Sequence, residues 1–130
     1  MKWTVGLVVM LIFVSSVLPE AGSQSQVTGE AVTVVSHVDI IPDAYRPGAQ
    51  EHAGQLFLRE SEASQKDAGV VSYVVLQETG LPNHITIVEV WRSAHAYELH
   101  VGSGHTVKFR KEIQPLIGSP FDSRVYRRLL

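Results

Sequence analysis

Hydrophobic and polar positions alternate with a period of two between residues 31 and 41, where β-branched side chains are dense. The face opposite His37 is aliphatic and consists of Val32, Val34, Val38 and Ile40. This alternation predicts a β-strand, and the further apolar residue Val35 on the other face predicts that it is buried for most of its length. Pro42, Pro47 and Gly48 predict the turn that follows it.

The period changes to that of a helix at residue 49. Apolar residues then recur at steps of three and four, at Ala49, Ala53, Leu56, Phe57 and Ala63. This spacing predicts an amphipathic surface helix. We expect it to end near Asp67, with Gly69 as its C-terminal stop.

Two strand-like segments follow, at residues 70–77 and 84–91. The segment between them contains Gly80 and Pro82, which predicts an antiparallel hairpin whose connection is longer than a tight turn. Ser93 is then a predicted N-cap for a short helix.

The rest of the chain predicts two helical segments and a strand. The short helix covers residues 94–100 and is broken at Gly102 and Gly104. A second helical segment covers residues 105–117, where His105, Phe109, Ile113 and Leu116 form one stripe. Residues 121–129 complete the chain as a strand. The whole order matches the split βαβ arrangement, so we predict a ferredoxin-like α+β fold with a four-stranded antiparallel sheet over residues 31–130.

The first 23 residues predict a secretory signal peptide. Lys2 precedes an apolar run over residues 5–18, and Pro19 and small residues up to Ser23 follow it. The run is shorter than the roughly 20 apolar residues that a spanning helix needs, so cleavage is favoured over a retained anchor. We expect export to a periplasm or to the outside of the cell, no membrane contact after cleavage, and a polar, disordered lead at residues 24–30.

Composition narrows the possible functions. A chain of 130 residues that is 45% hydrophobic can bury one modest core, which predicts a single domain. The net charge of −2 gives no basic field for a nucleic-acid partner. The absence of cysteine excludes disulfides, thiolate nucleophiles and zinc–thiolate sites.

Six histidines raise the hypothesis of a metal site. His95, His100 and His105 recur every five residues, and each such step turns about 140° around a helix, so they share no helical face. No helical ligand pair is present, and we predict no metal. Aspartate is scarce near these histidines, which also disfavours a nucleophile triad. The break at Gly102 leaves open that His100 and His105 meet, with His37 joining them from the sheet.

Between His84 and Phe109 stand Glu89-Val-Trp91 and Ser93, followed by His100, Ser103, His105 and Phe109. This pattern resembles the signature of the antibiotic biosynthesis monooxygenase domain, in which a Glu-x-Trp strand end leads into two short histidine-containing helices. The resemblance extends from Val32 to about Arg128. Residues 69–73 resemble the family's glycine-led second strand, and Pro115-Leu-Ile with Pro120-Phe121 resembles its helix end and last strand.

The resemblance implies a homodimer of the dimeric α/β-barrel type, in which two ferredoxin-like sheets pack together and each subunit has a pocket between sheet and helices. Family members include cofactor-independent oxygenases of quinols or polycyclic phenols, in which the electron-rich substrate activates dioxygen, and haem-degrading enzymes. It therefore implies a monooxygenase that takes a small quinol or phenolic aromatic and dioxygen and needs no cofactor. A non-catalytic module that binds a small aromatic or haem is the alternative.

The chain departs from both branches of the family at single positions. Arg110 stands roughly where the haem-degrading branch has its axial histidine, and Ser36 or His37 replaces a strand-borne asparagine of that branch. The oxygenase branch has an active-site asparagine before the tryptophan, which is absent here. Trp91 and Tyr97 fall near positions that matter in such oxygenases.

His100, His105 and Tyr97 are the predicted catalytic residues. A neutral imidazole near pH 7 can take a phenolic proton, and Tyr97 can donate a hydrogen bond to a substrate oxygen. His100 stands beside the glycine break, where access from a pocket is easier. The predicted substrate-binding residues are His37, Glu89, Trp91 and Phe109, of which the two aromatic residues would form an apolar wall.

Each candidate also has a structural explanation. Trp91 can be a core or dimer-contact residue, and Glu89 can form a structural ion pair, because an unpaired buried carboxylate is costly. His105 can be a hydrogen-bonded core histidine. His37 can be a strand histidine that is bonded to a neighbour.

Overall fold

The computed structural model describes residues 29–130, and the predicted signal peptide and most of the predicted lead lie outside them. The elements follow one another as β1 (Val32–Asp39), α1 (Ala49–Ser64), β2 (Val70–Glu78), β3 (Leu81–Trp91), α2 (Ala94–Val101), α3 (Gly104–Ile113) and β4 (Asp122–Arg127). A 3-10 turn, Gln114–Leu116, continues α3. Within the described residues, none of the helices has the length and apolar character needed to cross a bilayer.

The four strands form one antiparallel sheet in the order β2-β3-β1-β4. The two strands that flank α1 in sequence, β1 and β2, are separated in the sheet by β3, which is the split βαβ arrangement. The predicted ferredoxin-like α+β fold with a four-stranded antiparallel sheet is confirmed. The helices contact one face of this sheet, which we call the inner face; the opposite face is the outer face.

The alternation of β1 sets which side chains reach each face. Every second residue from Val32 to Val38 is buried on the inner face, and the residues between them are half-buried. Ser36 is the polar member of the inner set, and its hydroxyl lies 2.7 Å from that of Ser123 in β4. His37 lies on the outer face.

The core forms where the helices meet the inner face. Phe57 of α1 and Phe109 of α3 pack with their ring centroids 5.4 Å apart, and Ile113 and Leu116 are buried beside them. The apolar stripes predicted for both helices are therefore the faces that pack, as amphipathic helices require. Gly69 follows α1 with φ +86°, and a Cβ there would lie 2.6 Å from the Cβ of Ala96, so the space between α1 and α2 favours glycine.

Two boundaries differ from the sequence prediction. The β2–β3 connection is the two-residue turn 79–80, because Glu78 pairs with Leu81, so the prediction of a longer loop was wrong. A register shift at Gln77/Glu78 accommodates Pro82, which has no N–H, and the Gln77 side chain donates to the Pro82 carbonyl at 2.7 Å. The regular part of α3 ends at Ile113 rather than at residue 117, since Pro115 cannot continue an α-helix.

Candidate active site

Five ionisable side chains meet between the inner face and the helices, and we call them the carboxylate–imidazole cluster: Glu60, Asp67, Glu89, His100 and His105. They come from α1, the α1–β2 turn, β3, α2 and α3. Ser93 and Ser103 cap α2 and α3 by accepting hydrogen bonds from Ala96 N and Thr106 N, which fixes where the two helices begin; His100 lies in the last turn of α2 and His105 in the first turn of α3. Residues that are distant in sequence thus share one buried site.

His105 lies between two carboxylates. Its Nδ1 is 3.0 Å from Glu60 Oε2, and its Nε2 is 3.0 Å from both oxygens of Asp67. Because ionised carboxylates only accept hydrogen bonds, both ring nitrogens donate and the ring is an imidazolium. Burial lowers the pKa of His105, but the hydrogen bonds to Glu60 and Asp67 outweigh it and raise the pKa above its ordinary value.

His100 has one strong partner. Its Nδ1 lies 2.8 Å from Asp67 Oδ2 and so donates to this carboxylate; a neutral ring in this tautomer has its lone pair on Nε2. Nε2 is 3.7 Å from Glu89 Oε2 and 3.5 Å from Thr106 Oγ1, both long for a hydrogen bond. The Thr106 hydroxyl donates its hydrogen bond to Glu60 Oε1 at 2.7 Å, so Nε2 of His100 receives none from it and remains available as an acceptor.

His100 is only 4% exposed, so the expectation of easy access from a pocket was wrong. The reason is the packing of α2, which places the imidazole against Trp91 with ring centroids 4.6 Å apart and the planes 30° from parallel. Tyr73 of β2 covers it edge-on at 5.8 Å. A substrate can reach Nε2 only if a neighbouring side chain moves.

Glu89 and Trp91 are two residues apart on β3, so both point to the inner face. Trp91 Nε1 donates to Glu89 Oε2 at 2.9 Å, and both side chains are buried. Burial raises the pKa of Glu89, while the hydrogen bond from Trp91 opposes that rise. Trp91 is therefore the main hydrogen-bond partner of the buried Glu89 carboxylate.

Tyr97 is the member of the aromatic group that reaches the surface. Its ring lies 6.4 Å from those of Trp91 and His100, and it is half-buried, whereas Tyr73 is buried. Burial raises the pKa of both phenols, so each remains a hydrogen-bond donor at neutral pH.

Phe109 and His37 are placed differently. Phe109 packs in the core and lines a recess of about 170 Å³ together with Glu60 and His105. The prediction that His37 faces the same cavity was wrong, because the alternation of β1 puts it on the outer face. There its Nδ1 lies 3.0 Å from Thr86 Oγ1 and its ring stacks on His84 at 5.6 Å.

Ser36 and His37 are the two candidates for the position at which the haem-degrading branch has a strand-borne asparagine. Ser36 is the one whose side chain lies on the inner face, toward the helices.

Metal binding by the cluster is geometrically possible. Glu60, His100 and His105 offer ligand atoms that all lie within 4.8 Å of one another, and imidazole with carboxylate suits zinc or iron. The five-residue spacing prevents His100 and His105 from sharing a face of one continuous helix, but the two residues lie on separate helices, α2 and α3. In this arrangement, however, His105 carries a proton on each nitrogen, so it would first have to lose one. Haem iron would make the same demand, since it also binds an unprotonated imidazole nitrogen.

Four members of the site were not found by sequence reasoning: Glu60, Asp67, Tyr73 and Thr106. Glu60 had a usable signal, because it follows Leu56 by four residues and so falls on the buried stripe of α1. Asp67 had no such signal in the sequence, because it lies 33 residues before His100 and contacts it only in the folded protein. Aspartate is therefore scarce near the histidines in sequence but not in space.

Replacement of His105 by Gln tests the imidazolium. A raised pKa in the folded state means that His105 contributes its full stabilisation below its ordinary pKa of about 6.5 and loses it as pH rises through the folded-state pKa. We expect H105Q to lower the free energy of unfolding by about 1–2 kcal/mol at pH 6, because it removes hydrogen bonds to charged groups, and by less at pH 9. Urea unfolding at both pH values measures this.

The exposed His95 on α2 provides the control, since H95Q should change the unfolding free energy little at either pH. An equal loss at pH 6 and pH 9 for H105Q would contradict an imidazolium at this position.

Comparison with known proteins places the chain in a family. The model of the family described as "Antibiotic biosynthesis monooxygenase" matches residues 44–112. Rv0793 from Mycobacterium tuberculosis has a similar structure, with a TM-score of 0.69, 22% identity, and coverage of 78% of this chain and 97% of that one. PA3566 from Pseudomonas aeruginosa gives a TM-score of 0.69 and 19% identity over 79% of this chain and 98% of that one.

A third similar structure is that of SnoaB, a cofactor-independent oxygenase from Streptomyces nogalater. Its TM-score is 0.67 at 15% identity, over 78% of this chain and 96% of that one. At such identities the structures show a shared fold. No curated protein matches the sequence significantly. Because the family model covers more than half of the sequence, the chain belongs to the antibiotic biosynthesis monooxygenase family.

Proposed function

We propose that this protein is a cofactor-independent monooxygenase that oxidises a small quinol or phenolic aromatic with dioxygen. Membership in a family that includes monooxygenases supports the reaction class. The observation that carries the proposal is the pair formed by Asp67 and His100, which presents an imidazole lone pair inside a ring of aromatic side chains. That arrangement combines a base with an apolar wall for a planar substrate.

His100 is the base in this proposal. Asp67 holds the proton on Nδ1, so Nε2 can accept the phenolic proton of the substrate. The resulting phenolate is electron-rich and transfers one electron to dioxygen, which gives a substrate radical and superoxide. These combine into a carbon–oxygen bond, and loss of water from the peroxide leaves a carbonyl, so one oxygen atom enters the product and the other leaves as water.

His105 is suited to the opposite task. As an imidazolium it can supply the proton that the departing water requires, and it is joined to His100 through Asp67. Two titratable groups whose surroundings favour different protonation states are the usual mark of an acid and base pair. In this proposal His100 is therefore the general base, and His105 is the general acid that acts with it.

Access to His100 requires a small movement. Tyr97 is the exposed edge of the aromatic group, so rotation of its side chain is the smallest change that opens a path to Trp91 and His100. The phenol of Tyr97 would then donate to a substrate oxygen, as its raised pKa allows.

We also propose a homodimer formed through the outer face. That face carries Val35, Val88 and Val90 together with the exposed Val74 and Leu76, and none of the described helices covers it. Burial of such a surface by a second copy would remove apolar area from water. Relatives of this family often form dimers.

A charge on the outer face should separate the subunits. We expect sedimentation equilibrium to give twice the mass of one chain for the wild type and the mass of one chain for V74E. L99E is the control, because Leu99 is also an exposed apolar residue but lies on α2, on the other side of the sheet. A wild type that sediments as a monomer would contradict the dimer.

Oxygen uptake tests the reaction. With a panel of small quinols, we expect the wild type to consume dioxygen and H100Q to lose about 10²-fold or more of the rate, the usual contribution of a general base. D67N should lose activity as well, since it no longer fixes the Nδ1 proton. H84Q, on the outer face, should keep the wild-type rate.

Full activity in H100Q would refute the role of this residue. Anaerobic binding of a quinol without any oxygen uptake would identify a non-catalytic binding module instead.

A further inference from the structure

A second recess lies on the side of α3 that faces the segment before β4. It has a volume of about 390 Å³ and is lined by Arg110, Gln114 and residues 117–121. It shares no lining residue with the smaller recess at Glu60 and His105. The reaction described above assigns no task to it.

Arg110 is held in this recess as a cation with free donors. Its Cζ lies 4.5 Å from the centroid of the Phe121 ring, and a guanidinium stacked in this way keeps its edge donors for a ligand. Over residues 29–130, Arg59 and Arg124 pair with Glu112 and Asp122, whereas Arg110 has no ion-pair partner. Its charge is therefore available.

The remaining lining favours an anion with an apolar ring. Among residues 29–130, no acidic side chain lines the recess. The hydroxyl of Ser119 is already engaged, since it donates to Asp39 Oδ2 at 3.2 Å and accepts from Asp39 N at 3.0 Å. Ile117, Pro120 and Phe121 supply apolar surface, and the amide of Gln114 remains as a further donor.

Burial raises the pKa values of Glu89 and Tyr97, and the charge of Arg110 opposes both rises.

We propose that this recess binds the carboxylate of an aromatic acid, with the Arg110 guanidinium as its bidentate partner and Phe121 with Ile117 and Pro120 as the surface for the ring. Arg–carboxylate pairs of this fork geometry are among the strong charge-assisted hydrogen bonds. This recess is a second ligand site beside the proposed oxygenase site, because the ring of its ligand packs on Phe121, Ile117 and Pro120 and not on the aromatic side chains around His100.

The test uses anaerobic calorimetric titration of the purified protein, so that binding is measured without turnover. The probes are 2,5-dihydroxybenzoate and its methyl ester, which differ in the negative charge. We expect the wild type to bind the acid at least about tenfold more tightly than the ester, and R110Q to bind both equally. R110K should keep part of the preference, since it retains the charge but not the planar fork.

K111Q is the matched control, because it removes the neighbouring positive charge of α3 and should leave the preference unchanged. Equal affinities in the wild type, no binding of either probe, or a preference that survives in R110Q would overturn the inference. Oxygen uptake is measured separately with the neutral quinols, so a preference that is abolished in R110Q retains the recess whether or not the protein consumes dioxygen.

Discussion

The contact of the His105 imidazolium with Glu60 and Asp67 is the interaction on which the candidate site depends. Glu60 is 3% exposed, so the fold encloses a carboxylate that an apolar interior would not tolerate without a compensating charge. His105 supplies that charge and ties α3 to both α1 and the α1–β2 turn. Removal of one partner from such a group costs more than the hydrogen bond itself, because a buried charge is left unpaired.

Asp67 links the two imidazoles and gives them different states. It accepts from His105 Nε2 and from His100 Nδ1, so one ring is doubly protonated and the other presents a lone pair. In the proposed reaction, this single residue of a turn orients both the acid and the base. The glycine that follows it, Gly69, lets α2 approach closely enough for His100 to reach this carboxylate.

The sequence was most informative where periodicity determines the structure. The alternation of β1 and the stripe of Phe109 and Ile113 were visible as patterns, and the order of elements followed from them. The pairing register of β2 and β3 could be predicted only in part. Their tight turn depends on a register shift at Gln77/Glu78, and no residue type there indicates such a shift.

The site was predicted less completely because its contacts are distant in sequence. Glu89, Trp91, His100 and His105 stand close together in the chain, and the structure brings these four into one cluster. Asp67 contacts these residues only because the α1–β2 turn packs beside them. His37 does not belong to the site, because it is one position after Ser36 on β1 and therefore faces the other side of the sheet. Side-chain direction on β1 was predictable from its alternation; which element docks beside which imidazole was not.

Nitrogen-15 NMR of the histidine rings over a pH titration tests the central claim most directly, since protonated and unprotonated ring nitrogens have distinct shifts. We expect His105 to keep both ring protons until the pH exceeds the ordinary histidine pKa of about 6.5, and Nδ1 of His100 to carry a proton. A His105 that loses a ring proton at or below that pH, or a His100 that carries its proton only on Nε2, would contradict this arrangement.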